Sequence, residues 1–145
     1  MDVREALLSD IDELSILFDD YRVFYEQSSD IKNAKSFLVD RFNNKESIIL
    51  VAEEENKLVG FTQLYPTFSS VSLQRFYILN DLYVSPSFRK KGVGKLLLNS
   101  AQDLIRKLGY KGLSLETAND NPAQHLYERE GWKVDQDYLH MFWKR

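Results

Sequence analysis

Asn80-Asp81-Leu82-Tyr83-Val84-Ser85-Pro86-Ser87-Phe88-Arg89-Lys90-Lys91-Gly92-Val93-Gly94-Lys95 is the stretch on which the fold turns. The run from Arg75 to Val84 predicts a strong strand, closed by Ser85-Pro86. A helix follows the stretch, its buried stripe marked by Val93, Leu97, Ala101, Leu104, Ile105 and Leu108 and its end by Gly109. Between strand and helix lies a basic loop with two glycines. Backbone N–H groups at a helix start have no partner within the helix, and the peptide dipoles add partial positive charge there. Gly92 and Gly94 carry no side chain to hold an anion off. Arg89, Lys90, Lys91 and Lys95 crowd cations into an otherwise acidic chain. The combination suits a phosphate cradle. The plainer alternative is a strand-to-helix turn with solvated lysines. Two nucleotide classes drop out: Leu96 follows Lys95 where a Walker loop needs Ser or Thr, and Leu97 stands where a dinucleotide fingerprint needs its third glycine.

Outward from this stretch, hydrophobic periodicity marks the other elements. Val3 to Leu7 reads as a first strand. Leu14, Leu17, Phe18, Tyr21, Phe24 and Tyr25 predict an amphipathic helix from Ser9 to Gln27. Ala34, Phe37, Leu38, Arg41 and Phe42 predict a second, ending near Asn43. Ser47 to Ala52 is continuous and apolar, as in a strand buried on both faces. Leu58 to Tyr65 is its return strand, which Pro66 to Ser70 should break. Leu113 to Thr117 alternates like a strand. Pro122 opens a short helix to Glu130, stopped by Gly131. Trp132–Asp135 and Tyr138–Trp143 read as two closing strands.

Composition narrows the function. A chain of 145 residues with 43% hydrophobic and 28% charged residues has ordinary globular usage, enough for one core. A net charge of -3 supplies no basic field for a nucleic-acid backbone, so no nucleic-acid partner is expected. There are no cysteines and only two histidines, His125 and His140. Thiol catalysis is therefore excluded, and no metal is expected. No apolar run approaches a membrane span, and the N-terminus lacks a signal-peptide pattern, so a cytoplasmic location is expected.

Asn80-Asp81-Leu82-Tyr83-Val84-Ser85-Pro86, followed by Arg89-Lys90-Lys91-Gly92-Val93-Gly94, resembles the central motif of the GCN5-related N-acetyltransferase (GNAT) superfamily. A second element matches as well: Asn119-Asp120-Asn121-Pro122-Ala123, then Leu126-Tyr127-Glu128, then Gly131-Trp132. The order of elements fits along the whole chain. Tyr65 to Ser70, with Ile78 to Leu82, further resembles a subgroup that includes yeast Hpa-type acetyltransferases. The resemblance implies one α/β (α+β) domain over residues 1–145. Its sheet would be mixed, mostly antiparallel and twisted, with six or seven strands, helices on both faces and a β-bulge that splays strand Leu82–Val84 from Leu113–Thr117.

It also implies acetyl-coenzyme A as cosubstrate. Amides from Lys90 to Lys95, including those of Gly92, Val93 and Gly94, would bind the pyrophosphate, with Arg89 and Lys91 adding charge. Freed backbone groups of Leu82 and Val84, flanking Tyr83, would pair with the pantetheine arm like an added strand. One freed amide would polarise the thioester carbonyl, a role worth about 2.7–4 kcal/mol. Asn121 would contact the pantetheine or order its loop, or cap the short helix beside Pro122. Tyr127 is the expected general acid for the departing thiolate, a phenol near pKa ~10 against a thiol near ~8.5; its plainer role is a core tyrosine.

An ammonium near pKa ~10.4 must lose a proton before it attacks. Asp81 and Glu116, on adjacent central strands, are the candidate bases or ammonium ligands, each otherwise a structural carboxylate. Strand alternation puts Asp81 on the face of Leu79 and Tyr83, opposite Leu82. Asp81, Tyr25, Tyr65 and Phe68 are the expected acceptor contacts, aromatic and acidic as suits a cationic amine. Both histidines read as structural or surface residues. The expected activity is acetyl transfer to a primary amine, of a small molecule or a protein, by direct attack; the alternative is a non-catalytic acyl-coenzyme A sensor. The apolar ending Tyr138–Trp143 should be buried in the sheet or across a partner, and a homodimer is expected.

Overall fold

Five strands form one sheet in chain order in the computed structural model, which describes residues 1–145. They are β1 (Asp2–Glu5), β2 (Ile48–Glu54), β3 (Lys57–Ser69), β4 (Gln74–Val84) and β5 (Leu113–Ser114). The first four pair antiparallel and β5 joins β4 in parallel. Four α-helices accompany them: α1 (Ile11–Phe24), α2 (Ile31–Asn43), α3 (Val93–Leu108) and the short α4 (Gln124–Arg129).

The two faces of the sheet carry separate cores, each covered by helix. Leu14, Leu17 and Phe18 of α1, with Ala34 and Leu38 of α2, pack on Ile49, Val51, Phe61 and Tyr83. Val93, Leu97, Leu98, Ala101 and Ile105 of α3 pack on Leu50, Ala52, Val59, Leu64, Tyr77 and Leu79. Period-two alternation in β2 explains the division: Ile49 and Val51 face one core, Leu50 and Ala52 the other. Asp19 fixes the α1–α2 corner. Its buried carboxylate accepts from Ser29 Oγ at 2.6 Å and from the Asp30 amide at 2.7 Å.

Strand β4 breaks the alternation. Asp81 pairs with Gln63 but Leu79 pairs with Leu64, which leaves Asn80 as an extra residue. A bulge of this kind turns every later side chain to the other face. Tyr77 and Leu79 accordingly lie in the α3 core, whereas Tyr83 lies in the α1–α2 core. The expectation that Asp81 shares a face with Leu79 is corrected: simple alternation fails at Asn80, and Asp81 goes with Tyr83 alone.

Strands β4 and β5 meet only at Tyr77–Leu113 and Ile78–Ser114 and then part. The expected splay is present, with its irregularity at Asn80 rather than at Leu82–Val84. Pro66 does not end β3, which continues to Ser69 opposite β4. The β2–β3 ladder stops at Ile48–Leu64, so Pro66 stands where β3 has outrun its other neighbour and its missing N–H costs no ladder bond.

The sheet has five strands, not six or seven. Residues 132–135 and 138–143 form no strand. A strand needs a hydrogen-bonded neighbour, and no backbone–backbone bond involves residues 133–145. The apolar ending is exposed rather than buried within the chain. No helix is long and apolar enough to cross a membrane.

Candidate active site

The basic loop presents unpaired amides. Leu96 is the first residue of α3 whose N–H reaches a helical carbonyl, that of Gly92, at 3.0 Å. The N–H groups from Lys90 to Lys95 donate to no other group of the chain. Gly92 caps α3 in the left-handed region, φ 85°, with open space where a Cβ would stand. Lys90 also takes a positive φ, 61°. Successive unpaired N–H groups with such left-handed residues among them are the makings of an anion-binding nest. Lys95 gives its amide to the nest but sends its ammonium to Glu130, 3.1 Å away. Lys91 lies over Phe88.

Arg89 folds back from the loop. Its Nε donates to the Val84 carbonyl at 2.9 Å, and its guanidinium lies over the rings of Tyr83 and Phe24. That bond reveals how the strand end is oriented. The Asp81 carbonyl accepts from Thr62 Oγ1 at 2.8 Å, and the Ser85 amide donates to Val59. Residues 81, 83 and 85 therefore turn their backbone toward β3, and Leu82 and Val84 turn theirs into the splay. Gly60 permits the close β3–β4 approach: a Cβ there would stand 2.8 Å from the Tyr83 carbonyl.

The splay opens a cavity of about 220 Å³. Leu82, Tyr83, Val84 and Arg89 form one wall, Glu116, Thr117, Asn121 and Tyr127 another, and Tyr21, Phe24 and Tyr25 a third. Thr117 Oγ1 is buried there without a partner, a polar atom that a ligand group would satisfy. Asn121 accepts from the Ala123 amide at 2.9 Å, ordering the start of α4, and donates to the Tyr25 hydroxyl at 3.2 Å. Burial, with Tyr25 nearby, pushes the Tyr127 phenol up to about 12. It holds its proton at neutral pH.

A second cavity, about 380 Å³, lies between α1, α2 and the strands. Asp81 is its one carboxylate and is only 2% exposed. Gln63 Nε2 donates to Asp81 Oδ2 at 2.5 Å and Asn80 Nδ2 to Oδ1 at 2.7 Å, while Ser47 Oγ holds Gln63 Oε1 at 2.9 Å. Burial raises the carboxyl above its ordinary value, and the donors from Gln63, Asn80 and Tyr21 oppose the rise. Phe18, Tyr21, Phe37 and Tyr65 supply aromatic walls. Burial also raises the Tyr65 and Tyr21 phenols, the latter helped by the charge of Asp81.

The structure brings most of the expected residues together and separates a few. Leu82, Tyr83, Val84, Arg89, Asn121 and Tyr127 share the first cavity. Tyr25 lines that cavity rather than the second. Tyr65 and Asp81 line the second. Phe68 joins neither; it is exposed on the far end of β3 beneath Arg75. Glu116 lies past the end of β5, exposed and paired with His140 at 2.9 Å. It is not a partner of the buried Asp81. Tyr21, Asn80 and Gln63 were missed. Tyr21 is partly buried against the α1–α2 core, and its place one turn before Tyr25 puts both on one face of the helix.

The sequence model described as the acetyltransferase (GNAT) family matches residues 12–132. The chain is 49% identical over 141 residues to the uncharacterized N-acetyltransferase YhfO of Bacillus subtilis (strain 168), covering 97% of this chain and 95% of that protein. It is 31% identical over 126 residues to a probable acetyltransferase of Haemophilus influenzae, covering 86% and 85%. The crystal structure of a probable acetyltransferase superposes with a TM-score of 0.94 at 38% identity, over 100% of this chain and 98% of the other.

Proposed function

The chain belongs to the GNAT family of acetyltransferases and is an N-acetyltransferase, and we propose that it transfers acetyl from acetyl-coenzyme A to a primary amine by direct attack in a ternary complex. The observation that carries this reading is the run of unpaired amides from Lys90 to Lys95, which directly follows Arg89 in the wall of the splayed cavity. A diphosphate fits such a nest, and an extended amide-bearing arm fits the unpaired edge of Leu82 and Val84.

Acetyl-coenzyme A supplies the activated thioester; the chain supplies placement and electrostatics. The 90–95 amides, with Lys90 and Lys91, hold the diphosphate. Leu82 and Val84 hydrogen-bond the arm through their main chain, and Arg89 yields the Val84 carbonyl to it. Tyr127 donates its phenolic proton to the departing sulfur. A phenol at about 12 facing a thiol near ~8.5 is a gap of about 5 kcal/mol, against ~2 for an ordinary phenol. The same apolar wall raises a buried thiol as well and so narrows that gap.

The acceptor occupies the second cavity, its ammonium against Asp81 and its carbon frame among the aromatic rings. Asp81, raised by burial, is the better base of the two carboxylates, and Gln63 and Asn80 fix its oxygens. The volume of the cavity suits a small-molecule amine or a single side-chain or terminal amine of a protein. With no cysteine to carry an acyl group, direct transfer is the simplest route. The working form is a cytoplasmic homodimer of the domain 1–145.

Calorimetric titration with acetyl-coenzyme A, followed by a panel of primary amines, tests the reading. Binding should be measurable and turnover should appear with at least one cationic amine. Absence of binding heat, or undiminished binding of an acetyl-pantetheine fragment that lacks the diphosphate, would overturn it.

A further inference from the structure

We infer that the acceptor is a zwitterion, an amino acid whose carboxylate binds Arg22 while its ammonium binds Asp81. The inference rests on the acetyl-transfer reading above and names the substrate class of the second cavity. Two charged side chains line that cavity, Arg22 of α1 and Asp81 of β4. No ion pair or hydrogen bond joins them; Arg22 reaches Asp19 and Ser28, and Asp81 is held by Gln63 and Asn80. A cavity with one fixed positive and one fixed negative group complements a ligand that carries one of each, in reverse. Phe18 and Phe37, stacked with ring centroids 5.7 Å apart, offer apolar surface to the ligand's carbon frame.

Arg22 is loosely held and has donors to spare. Its Nη1 reaches Asp19 Oδ1 at 3.3 Å and the Ser28 carbonyl at 3.4 Å, both at the long edge of hydrogen bonding. Its Nε and Nη2 donate to no group of the chain. Asp19 does not depend on it, since Ser29 Oγ and the Asp30 amide supply shorter bonds, 2.6 and 2.7 Å. A guanidinium forks two parallel N–H groups onto a carboxylate, and at 29% exposure this one is partly sheltered from competing water. The same charge weighs against a diamine or polyamine. With one ammonium on Asp81, the cavity has no second carboxylate, and its remaining charged group repels the other ammonium.

Matched acceptors test the inference in the full chain with acetyl-coenzyme A. The standard amino acids, β-alanine and γ-aminobutyrate are each set against their own carboxamide, and α,ω-diamines of matching length complete the panel. At least one acid should be acetylated with kcat/KM about tenfold or more above its carboxamide and above the diamines. Arg22→Gln should collapse that margin by lowering the acid's kcat/KM toward the carboxamide's, and Arg22→Lys should restore part of it. Carboxamides or diamines that match the acids throughout overturn the zwitterion, as does an Arg22→Gln chain that loses acid and carboxamide turnover alike; acetyl transfer to amines then stands. A chain that binds no acetyl-coenzyme A, or acetylates no member of the panel, overturns both readings.

Discussion

The Tyr21 hydroxyl donates to the carbonyl oxygen of Asn80 across 3.2 Å, and both residues line both cavities. The bond is the partition between the place proposed for the coenzyme arm and the place proposed for the amine. Tyr21→Phe removes the bond and also a group that holds the Asp81 carboxyl down. The acid limb of kcat/KM should therefore move to higher pH, with the fold retained. An unmoved limb in a pH–rate profile would show that Asp81 does not govern it.

Tyr127→Phe should keep acetyl-coenzyme A binding within about twofold by calorimetry while lowering kcat by roughly 10²-fold or more, the usual weight of a general acid. Equal losses in binding and turnover would instead mark Tyr127 as a packing residue beside Trp132.

Asp81 gives a pH test with a definite sign. Its folded pKa lies above its unfolded value, so the native state binds the extra proton between the two. Stability from this group is present at low pH and is lost as pH rises through the folded pKa. Asp81→Asn should therefore raise Tm relative to wild type by an amount that grows above the ordinary carboxylate range and then levels off. Activity should fall at least about 10²-fold. Melting curves across pH with a constant difference between the two proteins would refute the linkage.

Gly60→Ala places a methyl 2.8 Å from the Tyr83 carbonyl, with Leu97 and Val93 at 3.3 and 3.4 Å. The β3–β4 ladder must shift, at about 1–3 kcal/mol. Urea denaturation should show the loss in midpoint. Coenzyme affinity should fall too, since Leu82 and Val84 take their aim from this pairing.

Lys90→Gln with Lys91→Gln leaves the amide nest in place and removes two charges. KM for acetyl-coenzyme A should rise several-fold at low salt, with the gap closing as ionic strength increases. A salt-independent difference would mean that the lysines act on folding rather than on the anion.

Much of this architecture was legible because strong periodicity survives tertiary context. The helix stripe from Val93 to Leu108 and the continuous run at Ile48–Ala52 each admit one placement. The loop 89–95 was legible for a related reason: glycines and cations at a strand-to-helix turn have few other uses. What failed was non-local. Nothing in residues 75–84 marks Asn80 as unpaired, because a bulge is set by the register of β3, so alternation alone puts Asp81 beside Leu79. Pro66 reads as a break unless the early end of β2 is known. The apolar ending has strand composition, but composition does not supply the hydrogen-bonded neighbour that a strand needs.

The odd residue in β4 works like a half-turn in a ribbon. Upstream of it the ribbon shows Leu79 to α3, and downstream it shows Asp81 to the opposite layer. If Asp81 receives the amine as proposed, substitutions facing its layer should retune the acceptor while the main chain of Leu82 and Val84 keeps its aim on the other side. Losing or gaining a single amino acid at that point would invert the two. Among kindred enzymes, length conservation between Gln63 and Asp81 should thus outweigh identity conservation in the side chains around them.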